Sequence, residues 1–286
     1  MQAPTLAAAL QSAIDQLAMT QDHPRLDAEL LLAHALGQSR SYLRAWPERL
    51  LTDQQVAIFA TLMTRRVAGE PIAHILQRRE FWSLDLEVNA ATLIPRPETE
   101  LLVELALARI PVDAVFSILD LGTGSGAIAL ALAHERPRCN VLATDRSLAA
   151  LEVARRNAQR LKLSQIVFQE AYWYTGLGTQ RFDIIVSNPP YIRANDPHLT
   201  QGDVRFDPSS ALIAGADGLD DLRVIVGGAC QHLQPGGWLL VEHGYDQGDA
   251  VQQLFAAAGL IDIGCVNDLA GQPRAALGQL PIQPSI

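Results

Sequence analysis

The stretch "FSILDLGTGSGAIALALAHE" (residues 116–135) decides the fold. "FSILDLG" is a short apolar run of strand character, and "GAIALALAHE" reads as a helix. Between them, Gly122, Gly124 and Gly126 let the backbone approach a ligand without Cβ clashes. The start of a helix favours a carboxylate or phosphate at that point. A glycine loop alone is also what a tight strand-to-helix turn needs. Gly122, Gly124 and Ala127 satisfy the loose pattern G-x-G-x-x-A, so a dinucleotide such as NAD enters the comparison.

The alternation continues downstream. "NVLATD" (140–145) is a strand and "SLAALEVARRNAQRL" (147–161) a helix. "QIVFQE", "FDIIVSN" and "WLLVEHG" are further strands, with helices around 217–232 and 247–258, and "IDIGCVND" and "PRAALGQL" close the chain as two more strands. This order predicts an α/β fold, with a mostly parallel sheet covered on both faces. Upstream the texture differs. "TLAAALQSAIDQLA" (5–18), "HPRLDAELLLAHALG" (23–37) and "TDQQVAIFATLMTRRVAGE" (52–70) carry helical spacing, with Pro24 and Gly37 as terminal signals and Thr52 and Asp53 as candidate caps. They predict a small helical bundle. "REFWSLDLEV" (79–88) suggests a short hairpin or extended linker. The expected division is a helical domain over 1–78, a hairpin or linker over 79–94, and an α/β domain over 95–286.

Composition narrows the function. The formal net charge of −9 argues against a protein that tracks nucleic acid by its overall field. Three widely spaced cysteines suggest neither a zinc site nor a disulfide framework, so a reduced, cytoplasmic protein is expected. The seven histidines show no ligand spacing, so no metal is expected. No apolar run approaches bilayer length, and the first helix reads as amphipathic rather than as a signal peptide.

Two positions sharpen the ligand edge. Asp145 ends the second strand, where a carboxylate accepts hydrogen bonds from both ribose hydroxyls of an adenosine; as a helix cap it would be equally at home. Asp120, at the end of the first strand, suits a cationic amino group, which S-adenosylmethionine has and NAD lacks; Glu100 could face the same edge. The fourth strand then runs into "SNPPYI" (187–192). Pro189 and Pro190 hold the backbone extended and donate nothing, leaving carbonyls free. The Asn188 side-chain oxygen is another acceptor, and Tyr191 offers a face for a planar group. Two acceptors converging on one NH₂ group suit methylation of an amide or aromatic amine, a poor nucleophile that gains most from being held in line.

"NPPY" behind "DLGTGSG" resembles the class I amino-methyltransferases that use S-adenosylmethionine. "LIPRPETE" (93–100), "DGLDDLRVI" (217–225), "PGGWLLVEHGYDQG" (235–248) and "DLAGQPR" (268–274) resemble the PrmC/HemK family in particular, over nearly the whole chain. That resemblance implies the class I fold, a seven-stranded, mostly parallel sheet with helices on both faces, beside a small N-terminal helical bundle that contacts the substrate protein. It implies transfer of a methyl group from S-adenosylmethionine to N5 of the glutamine in the Gly-Gly-Gln motif of class-1 peptide chain release factors, modulating translation termination. Residue by residue, it implies a cofactor loop of Gly122, Thr123, Gly124, Ser125 and Gly126, a ribose ligand in Asp145, and an aromatic beside the adenine in Trp173. Asn188, Pro189, Pro190 and Tyr191 would hold the substrate glutamine, with Asn188 also near the cofactor. Arg96 and Glu98 would shape the pocket or fix the linker. One departure is visible. The family commonly carries an acidic residue just before this Trp, whereas "QEAYWY" (169–174) has Tyr172 there and Glu170 two residues earlier.

Competing functions leave distinct traces. A nucleic-acid amino-methyltransferase acting on a flipped base needs a basic groove. The basic clusters are "QRRE" (77–80) and "ARRNAQRLK" (154–162), the second expected to be a solvated helix face. A dehydrogenase explains the glycines and Asp145 but not the asparagine corner. A binding module without chemistry has no need of two acceptors around one NH₂. Neither stable nucleic-acid binding nor membrane association is expected.

Overall fold

The computed structural model describes residues 3–282, which divide into two compact units. One unit holds the chain up to Arg78 together with His198–Phe206; the other holds Arg79–Pro197 and the chain from Asp207 onward.

The first unit is helical: α1 (Leu6–Leu17), α2 (Pro24–Leu36), α3 (Arg40–Ala45), α4 (Asp53–Val67) and α5 (Ile72–Leu76). Local sequence sets their ends. Thr5 caps α1 and Ser39 caps α3; Thr52 and Gln55 form a reciprocal capping box on α4; Gly37 closes α2 in the left-handed conformation. Leu17, Leu31, Leu32, Phe59 and Met63 pack in one apolar core. Two acids sit inside it with partners. Asp27 accepts from Arg66 at 2.7 Å, and Glu29 is reached by Arg25, Arg40 and Arg44. His198–Phe206, remote in sequence, joins this unit through Asp203, 3.5 Å from Arg66, and Arg205, whose guanidinium lies against Gly69.

The second unit opens with a two-stranded hairpin, β1 (Arg78–Phe81) and β2 (Leu84–Glu87), turned by Trp82 and Ser83, both at positive φ. Helix α6 (Glu100–Leu107) follows. Strands β3 (Ser117–Leu121), β4 (Asn140–Asp145), β5 (Ile166–Glu170), β6 (Phe182–Ser187), β7 (Leu233–Glu242), β8 (Ile261–Asn267) and β9 (Pro273–Gln279) form one sheet of order β5-β4-β3-β6-β7-β9-β8. The strands from β5 to β7 are parallel, and β9 runs antiparallel to both β7 and β8. Alternate residues feed opposite faces. Ile118, Ile184, Val186 and Leu240 pack with α6, α7 (Ala127–Glu135) and α8 (Leu148–Leu161). Leu119, Ile185, Leu239 and Val241 pack with α9 (Asp220–His232) and α10 (Gly248–Ala257). Burial on both faces is why these strands read as apolar runs rather than alternating ones.

The chain winds outward from β3 through β4 to β5, then returns to place β6 on the other side of β3. The carboxyl ends of β3 and β6 therefore flank the switch point, where open α/β sheets bind ligands. The glycine loop leaves β3 there, and the asparagine corner leaves β6.

Candidate active site

The cavity at this edge, about 290 Å³, is lined by the segment from Ala90 to Pro95, the glycine loop, Asp145, Trp173, Asn188 and Asp221. Among the sequence-predicted residues, Gly122, Thr123, Gly124, Ser125, Asp145, Trp173, Asn188 and Pro190 line it, whereas Gly126, Pro189 and Tyr191 do not.

Gly122, Gly124 and Gly126 all have positive φ, which a side chain would strain. At Gly122 a Cβ would also lie 3.3 Å from the Trp173 indole, whereas at Gly124 it would meet open space. Asp145 accepts from the Gly124 N–H through Oδ2 at 2.9 Å and from the Ser147 N–H through Oδ1 at 2.8 Å. The cap of α8 is Ser147, which accepts from Ala150 N, so Asp145 is not the cap. Each Asp145 oxygen spends one lone pair on the backbone and keeps another at the cavity wall. Burial pushes the Asp145 pKa up, against the pull of those backbone donors.

Asp120 lies deeper, 1% exposed and off the cavity wall. Its Oδ2 accepts from the Thr123 hydroxyl at 2.6 Å and from the Ala129 N–H, near the start of α7, at 3.2 Å; Oδ1 is buried without a partner. It braces the loop from behind. Burial raises its pKa to about 7. Glu100 also points elsewhere, accepting from Trp82 N in the hairpin.

Trp173 is buried at positive φ, and its Nε1 donates to Asp221 Oδ1 at 3.0 Å. The Tyr172 hydroxyl donates to the same oxygen at 3.4 Å. The carboxylate on this wall therefore comes from α9. Glu170, at the end of β5, is exposed and does not line the cavity. Burial raises the Asp221 pKa.

At the corner, Asn188 Nδ2 donates to Thr99 Oγ1 at 3.0 Å, and Thr99 donates to Glu242 Oε2 at 2.7 Å. Tyr191 does not present its ring to the cavity; its hydroxyl donates to Glu242 Oε1 at 3.0 Å. Burial holds the Tyr191 hydroxyl well above the usual phenol range, so it stays a donor. Asn188 Oδ1 and the Pro189 and Pro190 carbonyls accept no hydrogen bond among the described residues. Gln247, 4% exposed, donates to the Tyr191, Asp217 and Gly218 carbonyls and fixes the backbone beyond the corner.

Sequence reasoning named neither Thr99, Glu242, Asp221 nor Gln247, although the quoted "PRPETE", "DGLDDLRVI" and "VEHGYDQG" contain them. Arg96 serves the linker, donating to Asp207, which also accepts from Ile94 N. The basic face of α8 is solvated, with Arg156, Gln159, Arg160 and Lys162 exposed, and it also holds the hairpin. Arg156 pairs with Glu87, Arg160 reaches the Asp85 carbonyl, and buried Asn157 bridges Glu87 and the Ser125 carbonyl.

A sheet of this order, with a glycine loop, a strand-end carboxylate and an Asn-Pro-Pro-Tyr corner at its switch point, defines a class I methyltransferase. Residues 8–76 match the PrmC N-terminal domain, and residues 98–204 match the methyltransferase small domain. The chain is 55% identical over 255 residues to the release factor glutamine methyltransferase of Pseudomonas aeruginosa, covering 89% of this chain and 92% of that protein. Its Escherichia coli counterpart is 50% identical over 270 residues, covering 94% and 97%. A solved methyltransferase from Pyrococcus furiosus superposes with a TM-score of 0.55 at 18% identity, covering 78% of this chain and 100% of that one, a likeness of fold. The chain belongs to the release factor glutamine methyltransferase family.

Proposed function

We propose that this chain transfers a methyl group from S-adenosylmethionine to the side-chain amide nitrogen of the glutamine in the Gly-Gly-Gln motif of class-1 peptide chain release factors. The observation that carries this is the polarity of Asn188. Its NH₂ is spent on Thr99, so its oxygen is the group left at the cavity, beside the glycine loop.

The cavity fits the cofactor. Gly122 and Gly124 present bare backbone to the cavity, Asp145 offers its carboxylate to the ribose, and Trp173 supplies an aromatic wall. When bound, the cofactor supplies an electrophilic methyl group on a sulfonium. Asn188 Oδ1 and a carbonyl of the Pro189–Pro190 pair, neither of which accepts a bond among the described residues, then hold the two hydrogens of the substrate amide and turn its nitrogen toward that methyl. Such positioning is worth up to ~7–11 kcal/mol in favourable cases. Acceptor dipoles at the nitrogen also stabilise the positive charge that develops there. Pro190 closes the wall, and Tyr191 anchors the corner through Glu242.

The helical unit is the proposed contact for the protein substrate, and the enzyme works in the cytoplasm without stable nucleic-acid binding. The free cysteines and the net charge of −9 support this reading. No helix among the described residues is long and apolar enough to cross a membrane.

The test offers labelled S-adenosylmethionine with a release factor, its Gly-Gly-Gln variant in which Gln is replaced by Ala, or duplex DNA. Label on the unaltered release factor alone, placed on that glutamine by mass spectrometry, is expected. Label on DNA, or on the Ala variant, would overturn the substrate assignment.

A further inference from the structure

Glu242 ends β7 with 1% exposure and lies off the cavity wall, yet both arms of the corner converge on it. A carboxylate buried so deeply costs several kcal/mol unless hydrogen-bonded, and here two hydroxyls supply the bonds. Burial raises the Glu242 pKa, and the two hydroxyls pull against that rise by donating to it, Tyr191 to Oε1 and Thr99 to Oε2. Thr99 thereby spends its single hydroxyl proton on Glu242. The Thr99 oxygen can then only accept, and the sole donor beside it is Asn188 Nδ2. An asparagine amide can turn over about χ2, and the two orientations differ only in which polar atom faces the cavity. The relay selects one of them.

We infer that Glu242, acting through Thr99, is the positioning residue that fixes the Asn188 amide with its oxygen toward the substrate, while the same carboxylate ties down Tyr191. This rests on the proposed amide methylation. A flipped amide would present an NH₂ to the substrate's NH₂, donor against donor. Glu242 lies off the cavity; Thr99 borders it, but its hydroxyl is spent on Asn188 and Glu242, so in this scheme it acts on the glutamine only through Asn188.

Thr99→Val keeps the shape and removes the hydroxyl; Thr99→Ser restores it. Glu242→Gln offers one acceptor and one donor where two hydroxyls need acceptors, so one of them must reverse. The expected result for Thr99→Val is a kcat lower by about a hundredfold, the scale of a misplaced reacting group. KM and cofactor affinity should stay within about threefold, or under ~1 kcal/mol. Thr99→Ser should recover kcat to within about threefold, and Glu242→Gln should lose at least about tenfold. Thermal melts of all three check that the fold persists. A second readout needs no turnover. The Asn188 side-chain amide protons, assigned by ¹⁵N NMR against Asn188→Ala, should exchange slowly in the unaltered protein and faster in Thr99→Val. Full kcat in Thr99→Val, equal losses in Thr99→Val and Thr99→Ser, or unchanged exchange would overturn the positioning role. Absence of glutamine methylation by the unaltered protein would instead overturn the functional reading, leaving the exchange experiment to decide the relay.

Discussion

Asp120→Asn should change how stability depends on pH. In the folded protein burial raises the Asp120 pKa from 3.8 to about 7. The unfolded chain loses this proton near pH 4 and the folded chain near pH 7. Between those values the folded state binds more protons, so stability falls as pH rises. The contribution is fully present below pH 4 and fully lost above pH 7. Its size, about three pKa units at ~1.36 kcal/mol each, is of order 4 kcal/mol. Asparagine has the same shape, can still accept from Thr123 and Ala129 through its oxygen, and does not ionise. The other acids titrate in both proteins and largely cancel in the difference. The melting temperature of Asp120→Asn should therefore rise relative to the unaltered protein across pH 4–7. At ~2–4 °C per kcal/mol for a domain of this size, the relative change is roughly 8–16 °C. Circular dichroism melts at half-unit steps of pH measure it. Two curves parallel to within about 2 °C, on the same scale, would refute the buried, partnerless Oδ1 as the cause.

Four further substitutions address the site. Asn188→Ala should abolish turnover while leaving cofactor binding within about tenfold, ~1.4 kcal/mol, by calorimetry; near-normal turnover would remove Asn188 from the chemistry. Asp145→Ala should weaken cofactor binding by roughly 1.5–3 kcal/mol for each charge-assisted bond lost, whereas unchanged binding would leave Asp145 as a brace for Gly124 and Ser147. Gly122→Ala combines a positive φ with a Cβ 3.3 Å from Trp173, so cofactor affinity should drop, with tryptophan fluorescence reporting the moved indole. Asp221→Ala leaves the buried Trp173 N–H without its acceptor, a cost of about 1–3 kcal/mol that a chemical melt would detect.

The sequence exposed whatever depends on local pattern. The strands of the sheet, the glycine loop, Asp145 at a strand end and the Asn-Pro-Pro-Tyr corner all follow from runs, breakers and order along the chain. What it hid depends on partners far apart in sequence. Thr99 and Glu242 meet across 143 positions, and Trp173 and Asp221 across 48. Nothing in either segment alone marks its acid or hydroxyl as more than a surface residue. Helix α6 escaped notice because "ELLVELAL" is short, mostly apolar and follows a proline-rich stretch, with only Glu100 and Glu104 to outline a polar face. Strand β7 starts at Leu233, before Pro235, Gly236 and Gly237, which read as a turn but are absorbed where the register with β6 shifts. The basic run on α8 is solvated as its charge suggests, but its partners, Glu87 and the Asp85 carbonyl, stayed hidden because they lie in the hairpin about 70 residues earlier.

The relay also explains why the corner keeps its carboxylate at a distance. Methyl transfer from a sulfonium to a neutral amide moves positive charge from sulfur to nitrogen. A carboxylate at the cavity wall beside the sulfur would hold the charge where it starts, strengthening the ground state more than the transition state and slowing the chemical step. A neutral acceptor at the nitrogen does the reverse, because its dipole gains as charge arrives. In the proposed scheme Asn188 is that neutral acceptor, and the carboxyl that aligns it, Glu242, sits one hydroxyl further back. Replacing Asn188 with Asp would remove the NH₂ that Thr99 orients and set a carboxylate oxygen against the Thr99 oxygen, two acceptors with no proton between them. By this reasoning Asp at 188 is no conservative change, even though it keeps an oxygen in the same place.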